Sequence, residues 1–351
     1  MDAIDIALVE TDGVHHVRPL GGASYPYPPD LRAALQAVIS DPGRAEHDPL
    51  VEIETAVTDA FSAAIQRYLA ENTLAATSID LVGSHGQTIF HRPERRITRQ
   101  LGDGPRMAAT LGLPVVNRFR HADVAAGGQG APLVPLYHAA LAHELPTPLV
   151  VLNLGGVANI TYLHGETIIA CDTGPASALI DDAMLRYFGL AYDADGRIAA
   201  SGSVHAETLS ALMANPFFTA PPPKSLDRND FHARAKITET LSPEDQIATL
   251  TAFTVNATAA ILDHLPAKPV RWLVTGGGRH NVAMMRGFSQ ALGVPVEPVE
   301  TVGWNGDLLE AECFAYLAVR MRQGLPLSVP TTTGVPSPMP GGEYWPAPES
   351  A

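Results

Sequence analysis

Short apolar runs ending at polar or glycine turns alternate along this chain with longer stretches of helical period. Residues 4–9 (IDIALV), 79–82 (IDLV), 149–152 (LVVL), 271–275 (RWLVT) and 294–299 predict strands. A long helix is predicted over 48–72, where Val57, Phe61, Ile65 and Leu69 recur every four residues with Tyr68 on the same face. Further helices are predicted over 177–188, 281–292, 307–321 and 243–265, the last with Pro243 suited to a first turn. Such alternation indicates an α/β architecture, whose ligands sit beyond the carboxyl ends of the strands. The stretch 330–348 holds six prolines and predicts an extended run over the surface. No solenoid repeat is present.

Composition narrows the picture. The 351 residues suffice for about two domains, and 46% hydrophobic against 17% charged residues excludes intrinsic disorder. A net charge of −14 argues against a general nucleic-acid or membrane-surface role. One anion can still be held by backbone N–H groups, which net charge does not report. Two cysteines, Cys171 and Cys313, make no disulfide framework, and the first residues carry Asp2 and Asp5 where a secretory leader carries Lys or Arg. No apolar run reaches the roughly 18–20 residues that span a bilayer. These features predict a cytoplasmic protein.

Several turns carry polar chemistry. Gly83-Ser84-His85-Gly86-Gln87-Thr88 gathers two hydroxyls, an imidazole and an amide, although a polar hairpin turn looks the same. Asn153-Leu154-Gly155-Gly156-Val157-Ala158-Asn159 pairs two glycines with two amides. Glycine lets backbone N–H groups approach an anion, but an ordinary hairpin also uses it. Gly276-Gly277-Gly278 alone is weak evidence for a nucleotide cradle. Asp172-Thr173-Gly174-Pro175 places a carboxylate at a strand end before a helix containing Asp181 and Asp182. That carboxylate suits a general base, but on spacing alone a helix N-cap is the simpler reading. Arg118, Arg120 and Asp123 precede Gly127-Gly128-Gln129-Gly130, where a substrate anion or a solvated ion pair both fit. Pro221-Pro222-Pro223-Lys224-Ser225 reads as a stiff connector. HExxH, the P-loop pattern and GxGxxG are all missing from the sequence, which leaves zinc-hydrolase, P-loop and Rossmann readings without a motif.

Taken in order, these blocks resemble the anhydro-N-acetylmuramic acid kinase family. The resemblance extends to Ala131-Pro132-Leu133-Val134-Pro135, Pro223-Lys224-Ser225, Arg279-His280-Asn281, Gly306-Asp307 and Glu310-Ala311, so it covers nearly the whole chain. It implies a two-lobed actin/hexokinase-like (ribonuclease H-like) α/β fold with ATP and sugar in the cleft. The expected lobes are residues 1–120 and 121–335, with 336–351 a Pro-rich tail packing back on the first lobe. The implied reaction takes 1,6-anhydro-N-acetylmuramic acid, water and ATP to N-acetylmuramate 6-phosphate and ADP, in peptidoglycan recycling. Asp172 becomes the implied catalytic base. Asp2, Asp5, Asn153, Gly155, Gly156, Asn159, Gly276, Gly277, Gly278 and Asn281 are the implied ATP residues, with Mg²⁺ accompanying the nucleotide. His85, Gln87, Arg120, Asp123 and Gly174 would line the sugar. The expected partner is the small-molecule sugar, with a homodimer left open and no nucleic acid or membrane.

The resemblance departs at the start. The family's first strand feeds Met-Ser-Gly-Thr-Ser-x-Asp-Gly-x-Asp, whereas this chain opens Met1-Asp2-Ala3-Ile4-Asp5, with Ala3 where glycine is usual. The expectation is that about a dozen residues, a strand plus its turn, are missing. Three readings follow: a kinase whose product starts upstream, a sugar-binding relative that has lost catalysis, or a hydrolase-like enzyme that opens the ring without phosphoryl transfer.

Overall fold

The structure is a computed structural model that describes residues 3–226 and 230–348. In chain order its strands are β1 (Ile4–Thr11), β2 (Val17–Tyr25), β3 (Val82–Gly83), β4 (Gln87–Arg92), β5 (Ile97–Leu101), β6 (Val115–Asn117), β7 (Leu149–Leu154), β8 (Val157–His164), β9 (Thr167–Pro175), β10 (Arg271–Thr275), β11 (Val296–Pro298) and β12 (Glu343–Trp345). The longer helices are α1 (Pro29–Ile39), α2 (Val51–Glu71), α3 (Ser177–Phe188), α4 (Pro243–Ala259), α5 (Val282–Leu292) and α6 (Leu309–Arg322).

The chain forms two compact units, one joining Met1–His143 to Leu308–Ala351 and the other spanning Glu144–Asp307. These limits differ from the expected 120/121 and 335/336. The physical reason is that α6 packs against β1 and β3 in the first unit. In the Pro-rich stretch, β12 adds antiparallel to β6.

The first unit spreads its strands over three small sheets: β1-β2, β12-β6-β3 and the hairpin β4-β5. The apolar faces of β1-β2 and β4-β5 close over α1 and α2, with Leu35, Val38, Val57, Tyr68, Ile89 and Leu101 in one core. Val115 and Val82 of the third sheet pack with Met107 and with Phe61 and Ile65 of α2. The predicted strand over 79–82 shrinks to Val82–Gly83, because only these residues find a ladder partner, in β6, among the described residues.

The second unit is one five-stranded sheet in the order β11-β10-β7-β8-β9. Here β11, β10 and β7 run parallel, while β7, β8 and β9 form an antiparallel meander. Strands β7 and β10 are mainly apolar and buried, with Leu149–Leu152 and Trp272–Val274 covered as expected of strands packed on both faces. Helix α4 buries residues all round, among them Ile247, Leu250, Phe253 and Thr254. Thr254 remains tolerable there because its hydroxyl finds carbonyls, Leu250 O at 3.3 Å and Ala176 O at 3.2 Å. The predicted helix 243–265 continues past Ala259 as a tighter 3₁₀ turn, Ala260–His264. Among the described residues, no helix is long and apolar enough to cross a membrane.

Candidate active site

Register aligns the candidates of the second unit. Thr275 of β10 pairs with Asn153 of β7, Asn153 with Asn159 of β8, and Asn159 with Asp172 of β9. Residues paired across neighbouring strands share a face, so these four side chains form one transverse row. The row lies near the carboxyl ends of β7, β9 and β10, where α/β sheets present ligand sites. A bulge beside Asn159 sets the last step: Ala158 pairs with Gly174, Asn159 with Asp172, and Thr173 is the extra residue. Thr173 is buried, its hydroxyl bonded to Ala158 O and to Thr258 Oγ1 of α4.

Asp172 is held at two points. Its N–H donates to Lys224 O at 3.0 Å, and its Oδ2 accepts from Leu226 N–H at 2.7 Å. Burial raises its carboxyl pKa to about 6, and the Leu226 hydrogen bond offsets part of that rise. A carboxylate of this kind is poised to take a proton near neutral pH. The alternative expectation, that Asp172 caps the following helix, is corrected. The first N–H groups of α3 are taken instead by the hairpin ahead of it. Ala176 and Ser177 donate at 3.0 Å to the carbonyls of Gly156 and Gly155, and Ala178 donates to Gly156 O at 3.3 Å.

Two glycine turns meet beside this row. Gly276 has φ +77°, and a Cβ there would lie 2.5 Å from Asn153 Oδ1 and 2.7 Å from Leu154 O. The turn after β10 thus wraps the end of β7 in a way only glycine permits. Gly278 is equally tight against Leu154 Cβ, at 2.6 Å. By contrast, a Cβ on Gly277 would meet nothing within 4 Å, and on Gly155 nothing closer than 3.8 Å. That open space is what the close approach of a phosphate to backbone requires.

Sequence reasoning gave Thr275 no role, and Arg279 none beyond its place in the 276–281 stretch that carries the resemblance. Arg279 is buried, donating to Gly276 O at 3.0 Å, Glu300 Oε1 at 2.9 Å and Asp307 Oδ1 at 2.8 Å, and so pins the glycine triplet. The signal was an arginine directly after three glycines, with acids a few tens of residues downstream. Asn281 caps α5, its Oδ1 accepting from Met284 N–H at 2.9 Å, so this oxygen is already engaged. Gly174 packs on α4, where a Cβ would fall 2.8 Å from Ala257 Cβ; only its backbone is left to meet a ligand.

In the first unit, the structure brings His85 and Arg120 together. Arg120 Nε donates to His85 Nε2 at 2.8 Å and Nη1 to Gly130 O at 2.7 Å. Burial and the adjacent guanidinium hold the His85 pKa well below the ordinary histidine range, so the ring is neutral with its proton on Nδ1. Gln87 accepts from Tyr27 O–H at 2.8 Å. The Asp5 carboxylate accepts from Ser24 O–H at 2.5 Å on the exposed β1-β2 ribbon. Asp2 lies outside the described residues.

Asp123 requires a correction. Expected on the sugar side, it is 2% exposed and fully engaged. Its carboxylate accepts from Gly130 N–H at 2.6 Å, Thr333 O–H at 2.6 Å and Ser328 O–H. Three donors within the chain make it the clasp of the 127–130 loop rather than a ligand contact.

A family model described as anhydro-N-acetylmuramic acid kinase matches residues 1–347. The chain belongs to this family. Curated anhydro-N-acetylmuramic acid kinases run closely parallel to it. That of Rhizorhabdus wittichii is 50% identical over 349 residues, covering 97% of this chain and 95% of the relative. That of Acidiphilium cryptum is 51% identical over 347 residues, covering 97% and 94%. Solved structures align more loosely. A ROK family glucokinase from Streptomyces griseus in complex with glucose and AMPPNP gives a TM-score of 0.42 at 13% identity, over 92% of this chain and 97% of that one. The Acidaminococcus fermentans (R)-2-hydroxyglutaryl-CoA dehydratase component A gives 0.48 at 10% identity, over 90% and 98%.

As a member of the anhydro-N-acetylmuramic acid kinase family the chain is a phosphotransferase. The row and its glycine turns fit that chemistry: a carboxylate of raised pKa, two amides, a hydroxyl and open backbone in one place. No group of three or more His, Cys, Asp or Glu arranged to hold a metal ion occurs among the described residues.

Proposed function

We propose that this chain uses ATP and water to open 1,6-anhydro-N-acetylmuramic acid and phosphorylate it, giving N-acetylmuramate 6-phosphate and ADP in the cytoplasm. The observation that carries the reading is Asp172, with a pKa of about 6, in one row with Asn159, Asn153 and Thr275 beside two open glycine turns. Identity of about half over nearly the whole chain to kinases named for this sugar supports the substrate.

The chemistry divides into two bond exchanges. Asp172 takes a proton from water as the water oxygen attacks the anomeric carbon, and the bond from that carbon to the bridging O6 breaks. O6 then carries the electron pair to the γ-phosphorus of ATP, and ADP leaves. Phosphoryl transfer rests on positioning and on neutralising charge. For these tasks we assign the Gly155-Gly156 and Gly276-Gly277-Gly278 turns to the phosphates, with Asn153 and Asn159 beside them and the amide nitrogen of Asn281 on the nucleoside side. Mg²⁺ bound with the nucleotide supplies further charge neutralisation. His85, Gln87, Arg120 and the Gly174 backbone are assigned to the sugar.

The test is to supply the anhydro sugar, ATP and Mg²⁺, following ADP and sugar products together. One ADP per phosphorylated reducing sugar is expected. A ring-opened, unphosphorylated product formed without ATP would replace this reading with a hydrolase.

A further inference from the structure

We propose that Lys224 is a positioning residue for Asp172, holding the 224–226 segment so that one carboxylate oxygen is fixed and the other faces the water. The proposal rests on reading Asp172 as the base. Strand β9 is an edge of the five-stranded sheet, so its outer side has no neighbouring strand to complete the ladder. The 224–226 segment supplies what a strand would: Lys224 O accepts the Asp172 N–H at 3.0 Å, and Leu226 N–H donates to Asp172 Oδ2 at 2.7 Å. Among the described residues Oδ1 takes no hydrogen bond.

The Lys224 side chain ties this segment to the core of the unit. Three prolines, Pro221 to Pro223, precede it and have no N–H with which to anchor it. Lys224 Nζ donates to Phe217 O at 2.8 Å and stands 4.7 Å from the centre of the Phe217 ring. Phe217 is itself fixed edge-on against Phe218 and Phe231, members of the unit's apolar core. A chain of contacts therefore runs from the core through Phe217 and Lys224 to the peptide that grips Asp172. Lysine suits this place because its ammonium stands against the ring and at the same time reaches the carbonyl.

Among the described residues the Cys171 thiol adjoins Asp172 in the chain, and burial pushes it up to about 12 and so keeps it uncharged through the assay range. The Leu226 N–H touches the carboxylate directly, so loss of Lys224 is expected to move the Asp172 ionisation by releasing that donor. The arms are wild type, Lys224→Met, which keeps the stem but loses the donor and charge, and Lys224→Arg, which keeps both. Lys224→Met is expected to lower kcat about tenfold with KM for ATP unchanged, and to move the acid limb of the pH profile upward by roughly half a unit or more. Lys224→Arg is expected to restore most of the rate and the limb. Should Lys224→Met not fold, Lys224→Gln takes its place.

An unmoved acid limb overturns the proposal, whether the rate is unchanged or falls. So does a rise confined to KM for the sugar, which would make Lys224 a direct substrate contact. Failure of the underlying reading looks different: Asp172→Asn would then retain turnover, whatever the Lys224 variants do.

Discussion

The two units use buried polar groups in opposite ways. In the first, Asp123 is closed by three donors of its own chain, and Arg120 spends two of its N–H groups on His85 and Gly130. In the second, the half-buried carboxylate of Asp172 has, among the described residues, one donor on one oxygen, and desolvation raises its pKa to about 6. Full satisfaction fixes a loop, while incomplete satisfaction leaves a group able to exchange a proton. The sheets differ in the same sense. Three small sheets in the first unit leave polar turns to be stitched by side chains, whereas the single sheet of the second lines up four polar residues by register alone.

Substitutions test that contrast, beginning with the largest effect. Asp172→Asn is expected to reduce turnover by about a thousandfold or more, at the upper end of what a general base contributes, with circular dichroism unchanged. The same variant should melt at higher temperature than wild type at pH 8. The folded-state pKa of about 6 lies above the ordinary value of 3.8, so the folded protein binds the proton more tightly than the unfolded chain does. Ionised Asp172 therefore costs stability above pH 6, and that cost disappears as pH falls through about 6 toward 3.8. Asn removes it, and the gain over wild type should vanish below about pH 4.

Gly276→Ala comes next. Its Cβ must displace Asn153 and Leu154 from a backbone at φ +77°. A loss of roughly 1–3 kcal/mol in stability is expected, with KM for ATP raised well beyond KM for the sugar. Asp123→Asn points an NH₂ at donors and is expected to cost roughly 1–3 kcal/mol in chemical denaturation. It should leave both KM values nearly unchanged, and a selective rise in KM for the sugar would restore Asp123 as a ligand. The smallest effect belongs to the exposed pair Arg106–Asp59, at 2.7 Å. Removing it should leave the melting temperature unchanged within error, because solvent screens such pairs.

The long periodic elements were legible in the sequence. Helix α3 and strand β10 fall where their patterns placed them, and α2 starts and stops within three residues of the expected 48–72. Strands β2, β4 and β5 were not legible, because their half-buried positions mix polar residues and glycine with few apolar ones. Of the site, the glycine turns and Asp172 showed in the sequence as motifs. What joins them did not. The row exists only through cross-strand register, and Thr275 enters it from a strand more than a hundred residues from Asp172. Local spacing also favoured a helix cap over a base for Asp172. It could not reveal that the carbonyls of Gly155 and Gly156 already cap α3. Asp123 misled for the reverse reason, since two of its three donors, Ser328 and Thr333, lie about 200 residues away.

The central claim is that Asp172 takes the proton from water during an ATP-coupled opening of the anhydro sugar. The most direct measurement is the pH dependence of sugar-stimulated ADP release in wild type and Asp172→Asn, with the phosphorylated sugar quantified alongside. The account predicts a wild-type rate that falls as pH drops through about 6, matching the Asp172 ionisation, and a variant without measurable turnover at any pH. A variant that keeps substantial ADP release with the same acid limb would contradict it, placing the base on another residue.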